Sequence, residues 1–381
     1  MQYFTSSFRL GILGGGQLGK MLLYETRKWD IYTKVLDNAA DAPCRMSCNE
    51  FVQGDLLDYE TVVSFGQGLD LLTIEIENVN LEALKTLKQQ GVKIYPEPEA
   101  LEVIKNKSLQ KNFYLTHNIP TSPFKNYGSK KELLHDSLNY PCVWKSAEFG
   151  YDGKGVQILN SAADLHDLAD GPCLVEEKID FVQELAVIVA RNTHGESTTY
   201  PVVGMDFHKT ANQVEYVVCP ADIPEHLAEK AKKIALTVAT KLQITGLLAV
   251  ELFLDKEQNI LVNEVAPRPH NSGHYSIEAS YTNQFEQHLR AILGLPLGST
   301  DSKAIAIMVN LVGAESYYGP VLYENLETVL AIKGVSVHIY GKSETRPFRK
   351  MGHVTIVDND RASAYQKAKK VKQSLIVKSN G

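Results

Sequence analysis

Two glutamates stand where apolar side chains are expected. Glu251 lies inside LLAVELFL and Glu264 inside ILVNEVA, runs that otherwise have the Val, Ile and Leu content of buried strands. The five polar residues between them, 255–259, make a turn, so residues 247–254 and 260–265 read as a hairpin. An ionised carboxylate among apolar neighbours is costly unless it is paired. Two of them on adjacent strands repel, and a divalent cation would relieve both. Mg²⁺ suits such a pair, because it takes one or two carboxylates and fills its other positions from phosphates and water. Asn263 offers a neutral oxygen beside Glu264. The chain then leaves the strand through Arg268, Pro269, His270, Asn271, Gly273 and His274, a polar, mostly non-helical stretch suited to an anion. The stretch therefore reads as a metal–phosphate site with an anion-binding loop beside it. The competing reading is a hairpin with two outward-facing glutamates.

Other residues could serve the same chemistry. Residues 142–145 form an apolar strand ending in Lys145, and Gly150, Tyr151, Asp152, Gly153, Lys154 and Gly155 follow as a glycine loop with a charged tip. Loops of this kind cover nucleotide phosphates, although the Walker spacing is absent. Strand 172–176 delivers Glu176, Glu177, Lys178 and Ile179, whose backbone and carboxylates suit a base and a ribose. Near the N-terminus, Gly14, Gly16 and Gly19 satisfy G-x-G-x-x-G, with Asp37 placed as a ribose acid would be. That pattern alone would indicate a dinucleotide-dependent oxidoreductase, but such turns also admit other anions and hydroxyls. Gln17 and Glu75, at strand ends, are candidate contacts for a hydroxyl-bearing ligand, or alternatively loop caps. Lys342, Arg346, Arg349, Lys350 and His353 form a basic cluster in a chain of net charge −6. It reads as a phosphate site or a solvated turn. His208 is a lone loop histidine.

The elements that must position these residues fall into three stretches. At 381 residues the chain is long for one core. Residues 1–106 alternate strands (8–13, 33–36, 69–74, 93–95) with helices (20–29, 81–90), an α/β, Rossmann-like pattern. Residues 107–298 read as α+β: a short helix at 108–117, the lysine and Glu-Glu strands, strands at 184–190, 198–203 and 214–218, a long helix at 225–242, then the hairpin. Residues 299–381 carry strands at 304–311, 334–340 and 354–357 and a helix at 361–376, expected to form a small C-terminal sheet domain. The acidic balance argues against a nucleic-acid binder. No run reaches a membrane span, and residues 1–16 lack a signal-peptide layout. Five scattered cysteines fit reduced thiols in a cytoplasmic protein.

The order of lysine strand, glycine loop, Glu-Glu strand, antiparallel strands, helix and two Glu-bearing strands resembles the ATP-grasp superfamily. Finer motifs are GGGQLGKM, TIEIENV, GYDGKG, NEVAPRPHNSGH and RKMGHV, which together resemble the N5-carboxyaminoimidazole ribonucleotide synthetases from about residue 8 to 375. The resemblance implies a pre-ATP-grasp domain, a two-lobed ATP-grasp domain and a small β-rich C-terminal domain. It implies carboxylation of 5-aminoimidazole ribonucleotide by bicarbonate with ATP and Mg²⁺, through carboxyphosphate whose carboxyl reaches the amine directly or as released CO₂, in purine biosynthesis, by a homodimer. By the same resemblance, Glu251 and Glu264 hold Mg²⁺, and Lys107 and Lys145 contact phosphates. The loop from Gly150 to Val156 closes over the nucleotide, and Glu176, Glu177, Lys178, Ile179 and Glu184 hold adenine and ribose. His208 and Asn263 complete that site. Tyr151, Asp152 and Lys154 touch the reacting end. Arg268, His270 and Asn271 take bicarbonate or carboxyphosphate, while Gln17, Glu75, Lys342 and Arg349 bind the ribonucleotide. Lys107 stands where the family commonly has an arginine; it keeps the charge and loses the bidentate fork.

Overall fold

The structure is a computed structural model that describes residues 3–148, 155–207 and 213–380. Its first unit is a five-stranded parallel sheet in the order Glu50–Gln53, Tyr32–Asp37, Arg9–Leu13, Leu71–Ile74, Lys93–Ile94. Leu10, Ile12, Leu36, Leu71 and Ile74 are fully buried, because helices cover the parallel sheet. Three elements of this unit were invisible to the sequence reading, the strand Glu50–Gln53 and the helices Tyr59–Gly66 and Pro98–Lys105. The strand is a short, half-exposed edge with no apolar run to mark it. Asn106 ends the helix Pro98–Lys105 and caps the helix Lys107–Thr116 by accepting from Leu109 N–H, so the chain breaks direction between residues 105 and 107.

A four-stranded antiparallel sheet follows, ordered Phe124–Tyr127, Cys173–Glu177, Cys142–Ser146, Val156–Leu159. The chain then enters a nine-stranded sheet ordered Ile260–Ala266, Gly246–Asp255, Phe181–Arg191, Val203–Phe207, Val214–Cys219, Ile305–Val312, Lys350–Asp358, Val335–Ile339, with Ser197–Thr199 pairing on Phe181–Arg191. The helix Glu225–Lys241 covers one face. Its Leu227, Ala231, Ala235 and Val238 pack with Leu248, Val250, Leu252 and Leu254. The opposite face of the hairpin, bearing Glu251 and Phe253, stays open.

Two features differ from the sequence expectation. The stretch 198–203 is not one strand: Ser197–Thr199 and Val203–Phe207 are separated at Tyr200, whose buried hydroxyl donates to Thr282 O at 2.8 Å. The C-terminal strands do not build a sheet apart. Ile305–Val312 pairs antiparallel with Val214–Cys219, with Tyr216 opposite Val309, and so continues the central sheet. Val214–Cys219 would otherwise be an exposed apolar edge, which pairing removes. Only Gly319–Glu324, Glu344–Thr345 and Ile376–Ser379 form a separate three-stranded sheet.

Candidate active site

Glu251 and Glu264 are direct cross-strand partners. Immediately beyond them the register shifts, because Leu252 pairs with Val262 and Asn263 is the extra residue of a β-bulge. In a regular strand Asn263 and Glu264 would point to opposite faces. Here both reach the open side: Asn263 Oδ1 accepts from Lys145 Nζ at 3.0 Å, and Glu264 Oε2 accepts from Lys107 Nζ at 2.6 Å. The two carboxyls have opposite environments. Lys107 holds Glu264 well below the usual carboxylate range, whereas burial, Glu264 and Glu184 push Glu251 up. Glu184 lies on the same sheet face, since Glu184 pairs with Phe253 and Ala186 with Glu251. Burial, and then Glu264, push Glu184 up to about 7. An open face with this excess of carboxylate favours a cation at Glu251 and Glu264. Among the described residues no group of three or more His, Cys, Asp or Glu is placed to hold a metal alone, so phosphate and water oxygens would complete its shell.

The Glu176 side chain is engaged by groups of the protein itself. Its carboxylate is buried, with Oε1 3.2 Å from both Lys145 Nζ and Lys111 Nζ and Oε2 accepting from Ser122 Oγ at 2.7 Å. Its role is to anchor Lys145, and the two lysines hold its carboxyl low against the cost of burial. Lys111 and Ser122 were not recognised from sequence, because a lysine and a serine near a helix read as surface. Burial pushes Lys111 down to about 8. Glu177 and Lys178 are exposed and Ile179 is half-buried. They occupy the passage from the four-stranded sheet to the nine-stranded one, where Phe181 stacks on Phe253 at 4.8 Å. Gly155 accepts from Ser146 N–H at 2.8 Å with φ +74°, and Val156 pairs with Lys145. Gly150, Tyr151, Asp152, Gly153, Lys154 and His208 lie outside the described residues.

The loop after the hairpin turns back over the carboxylates. His270 Nε2 is 3.5 Å from Glu251 Oε1, and its Nδ1 is 2.9 Å from Ser272 Oγ. Arg268 Nε is 2.9 Å from Glu77 Oε1, so the loop meets the N-terminal sheet. Gln284, fully buried, fixes the loop: its Oε1 accepts from His270 N–H at 2.8 Å and its Nε2 donates to His270 O at 2.9 Å. Asn271 exchanges two amide hydrogen bonds with Asn310, at 2.8 and 3.0 Å. Glu77, Gln284 and Asn310 were missed. Gln284 opens the helix Gln284–Ile292, and Asn310 is one polar residue in an apolar strand, the same signal that exposed Glu251.

The glycine turn of the first sheet holds a carboxylate of its own chain. A Cβ at Gly14 would lie 2.6 Å from Glu75 Oε2, and Glu75 Oε1 accepts from Leu18 N–H at 3.1 Å. Asp37 is tied to the turn by Gly15 N–H at 2.6 Å. The turn's close approach thus serves Glu75, which fills the place of a dinucleotide pyrophosphate. Burial pushes the Glu75 carboxyl up against the pull of Arg268. Gln17 is half-buried at the start of the helix Gln17–Lys28. One turn on, Lys20 Nζ donates to Ile339 O and Tyr340 O at 3.3 Å, and Ser343 Oγ donates to Asp41 at 2.8 Å. The basic cluster therefore docks against the first sheet. Within it, Lys342 Nζ donates to Lys350 O at 2.7 Å and Arg349 Nη1 to Glu344 O at 2.6 Å.

The two facing sheets, the paired carboxylates and the lysines on the opposite lobe define an ATP-grasp architecture. Family models match as ATP-grasp domain over residues 112–285, ribonucleotide synthetase preATP-grasp domain over 8–105, and phosphoribosylaminoimidazole carboxylase C-terminal domain over 306–367. The N5-carboxyaminoimidazole ribonucleotide synthase of Bacillus subtilis is 35% identical over 91% of this chain and 91% of its own length. The phosphoribosylaminoimidazole carboxylase of Candida albicans is 38% identical over 93% of this chain, which spans only 65% of that longer protein. The crystal structure of N5-carboxyaminoimidazole ribonucleotide synthetase from Thermotoga maritima aligns with TM-score 0.90 at 42% identity, covering 98% of this chain and 100% of that one. An Aspergillus clavatus N5-carboxyaminoimidazole synthase in complex with ADP and 5-aminoimidazole ribonucleotide aligns with TM-score 0.87 at 31% identity, covering 96% and 98%. The chain belongs to the N5-carboxyaminoimidazole ribonucleotide synthase family.

Proposed function

We propose that this chain carboxylates 5-aminoimidazole ribonucleotide with bicarbonate at the expense of ATP, giving N5-carboxyaminoimidazole ribonucleotide, ADP and phosphate, a step of purine biosynthesis. The observation that carries this reading is the convergence of three groups. The Glu251–Glu264 pair, the Arg268–His270–Asn271 loop and the Glu75 turn meet through His270 to Glu251 at 3.5 Å and Arg268 to Glu77 at 2.9 Å. ATP, an anion and a second substrate can therefore share one junction.

Lys145, anchored by Glu176, and Lys107 hold the phosphates. Glu177, Lys178 and Ile179 border the adenine and Glu184 the ribose. Glu251 and Glu264 would hold Mg²⁺, which supplies charge neutralisation at the transferred phosphoryl group. Arg268 and the amide of Asn271 orient bicarbonate so that one of its oxygens attacks the γ-phosphorus while the bond to the ADP oxygen breaks. The 5-amino group of the ribonucleotide then attacks the carboxyl carbon of carboxyphosphate. The C–O bond to phosphate breaks, and the ammonium proton leaves to phosphate or to a neighbouring base, for which His270 and Asp152 are candidates. Tyr151 and Lys154 border the same reacting end. Gln17 and Glu75 take ribose hydroxyls, and Lys342 and Arg349 the 5′-phosphate. His208 and Asn263 complete the nucleotide site. In this reading the enzyme works in the cytoplasm as a homodimer; none of the described helices is long and apolar enough to cross a membrane.

The mechanism is tested with ¹⁸O-bicarbonate. Carboxyphosphate requires one bicarbonate oxygen to leave in inorganic phosphate, a mass shift of one label per turnover. Unlabelled phosphate formed at the rate of product would overturn that route.

A further inference from the structure

Asn310 belongs to the C-terminal strand Ile305–Val312, outside the hairpin and its loop, and is buried in an otherwise apolar run. Both N–H groups of its amide and its oxygen are engaged. Oδ1 accepts from Asn271 Nδ2 at 2.8 Å, and Nδ2 donates to Asn271 Oδ1 at 3.0 Å and to Val214 O at 2.8 Å. Val214 is in the adjacent strand, Val214–Cys219. The Val214 carbonyl can only accept, so it fixes which end of the Asn310 amide is nitrogen. The reciprocal pair then fixes the Asn271 amide in turn, leaving it one N–H and one oxygen lone pair in a defined direction. An unpaired Asn271 could flip its amide and present the wrong atom to an anion.

We infer that Asn310 is a positioning residue for the bicarbonate step: it locks the orientation of the Asn271 amide, so that the C-terminal part of the chain sets the geometry of an anion site built by the central sheet. The inference rests on the proposed carboxylation and on Asn271 facing bicarbonate. Rigid placement of one reactant contributes heavily to rate, and small misplacements are costly. Loss of the lock therefore affects the bicarbonate step and leaves ATP binding alone.

The test compares wild type with Asn310→Leu and Asn310→Asp in the full-length enzyme, measuring KM for each substrate and kcat by ADP and product formation. Leucine is close to asparagine in size and removes every hydrogen bond of the amide. Asn310→Leu is expected to raise the bicarbonate KM or lower kcat by on the order of tenfold, with the ATP and ribonucleotide KM values within twofold of wild type. Asn310→Asp supplies a second readout should leucine impair folding. Ionised, it sets a carboxylate against the oxygens of Asn271 and Val214. Protonated, it can remake an acid–amide pair with Asn271, so its activity relative to wild type at the same pH should climb as pH falls. Unchanged bicarbonate kinetics in both variants, or a rise in ribonucleotide KM matching that for bicarbonate, would overturn the inference, the latter by showing a purely structural role. A wild-type enzyme without bicarbonate-dependent ADP release would instead overturn the carboxylation reading, and this inference with it.

Discussion

Glu251 and Glu264 face each other across one rung of the hairpin, yet Lys107 stabilises one charge while burial and two neighbouring carboxylates oppose the other. Neutralising each should therefore affect stability in opposite directions. Glu251→Gln is expected to raise the Tm of the ligand-free protein and Glu264→Gln, which strands Lys107, to lower it, as calorimetry would show. Both should lower ADP formation by roughly a hundredfold or more if they hold the cation, and retained activity in both would remove the cation from this site. Arg349→Ala is expected to raise the ribonucleotide KM by roughly tenfold while the ATP KM changes little; equal effects would take Arg349 out of the phosphate site. At this scale the sequence was informative where a polar residue broke an apolar run, which exposed Glu251 and Glu264. The same signal at Asn310 went unread because its partner Asn271 is 39 residues away. Glu176 was identified as a site residue, but its side-chain partners were not legible, since no local pattern says that Lys111 and Ser122 fold back onto it.

The hairpin and the loop behind it are the elements that convert these residues into a site. The apolar runs marked both strands, and the bounds Gly246–Asp255 and Ile260–Ala266 lie close to those read from the sequence. The bulge at Asn263 was not legible, because two adjacent polar residues on one face contradict simple alternation. Nor was the clamp from Gln284, whose side chain ties the His270 backbone at both N–H and C=O and also contacts His274 Nδ1 at 2.9 Å. Replacing it with leucine leaves those buried groups unpaired. Gln284→Leu is expected to cost about 2–4 kcal/mol, read as a lower urea midpoint, with activity lost beyond what the unfolded fraction explains. An unchanged midpoint would show that the loop holds itself.

Across the whole molecule, the three parts expected from sequence share more structure than they divide. The C-terminal strands extend the central sheet, and the basic cluster docks on the first one through Lys20 and Asp41. Such joins are invisible in sequence, because any apolar edge strand could accept either a partner or solvent cover. Three histidines lie buried at these joins. His274 stacks on His353 at 4.7 Å, His353 also stacks on the half-buried His338 at 4.4 Å, and His288 meets Thr73 of the first sheet at 2.9 Å. Burial drives His288 down to about 3 and holds His274 and His353 well below the ordinary range. The native state keeps them neutral, so the unfolded chain binds more protons once pH drops below about 6.5. Their stabilisation is complete above that pH and is lost progressively as pH falls toward the folded values, at about 1.4 kcal/mol per pH unit for each group. Thermal melts should therefore show Tm falling from pH 6.5 to 4.5, and His288→Gln should flatten that slope; a slope unchanged in the variant would contradict the assignment.

The central claim is that ATP, bicarbonate and a ribonucleotide amine meet over the Glu251–Glu264 hairpin. Its most direct test is phosphate release by the purified protein with ATP, Mg²⁺ and bicarbonate, with and without 5-aminoimidazole ribonucleotide. Rapid release dependent on both bicarbonate and the ribonucleotide, one phosphate per carboxylated product, is the predicted result. Release indifferent to the ribonucleotide, or absent with all substrates present, would contradict it.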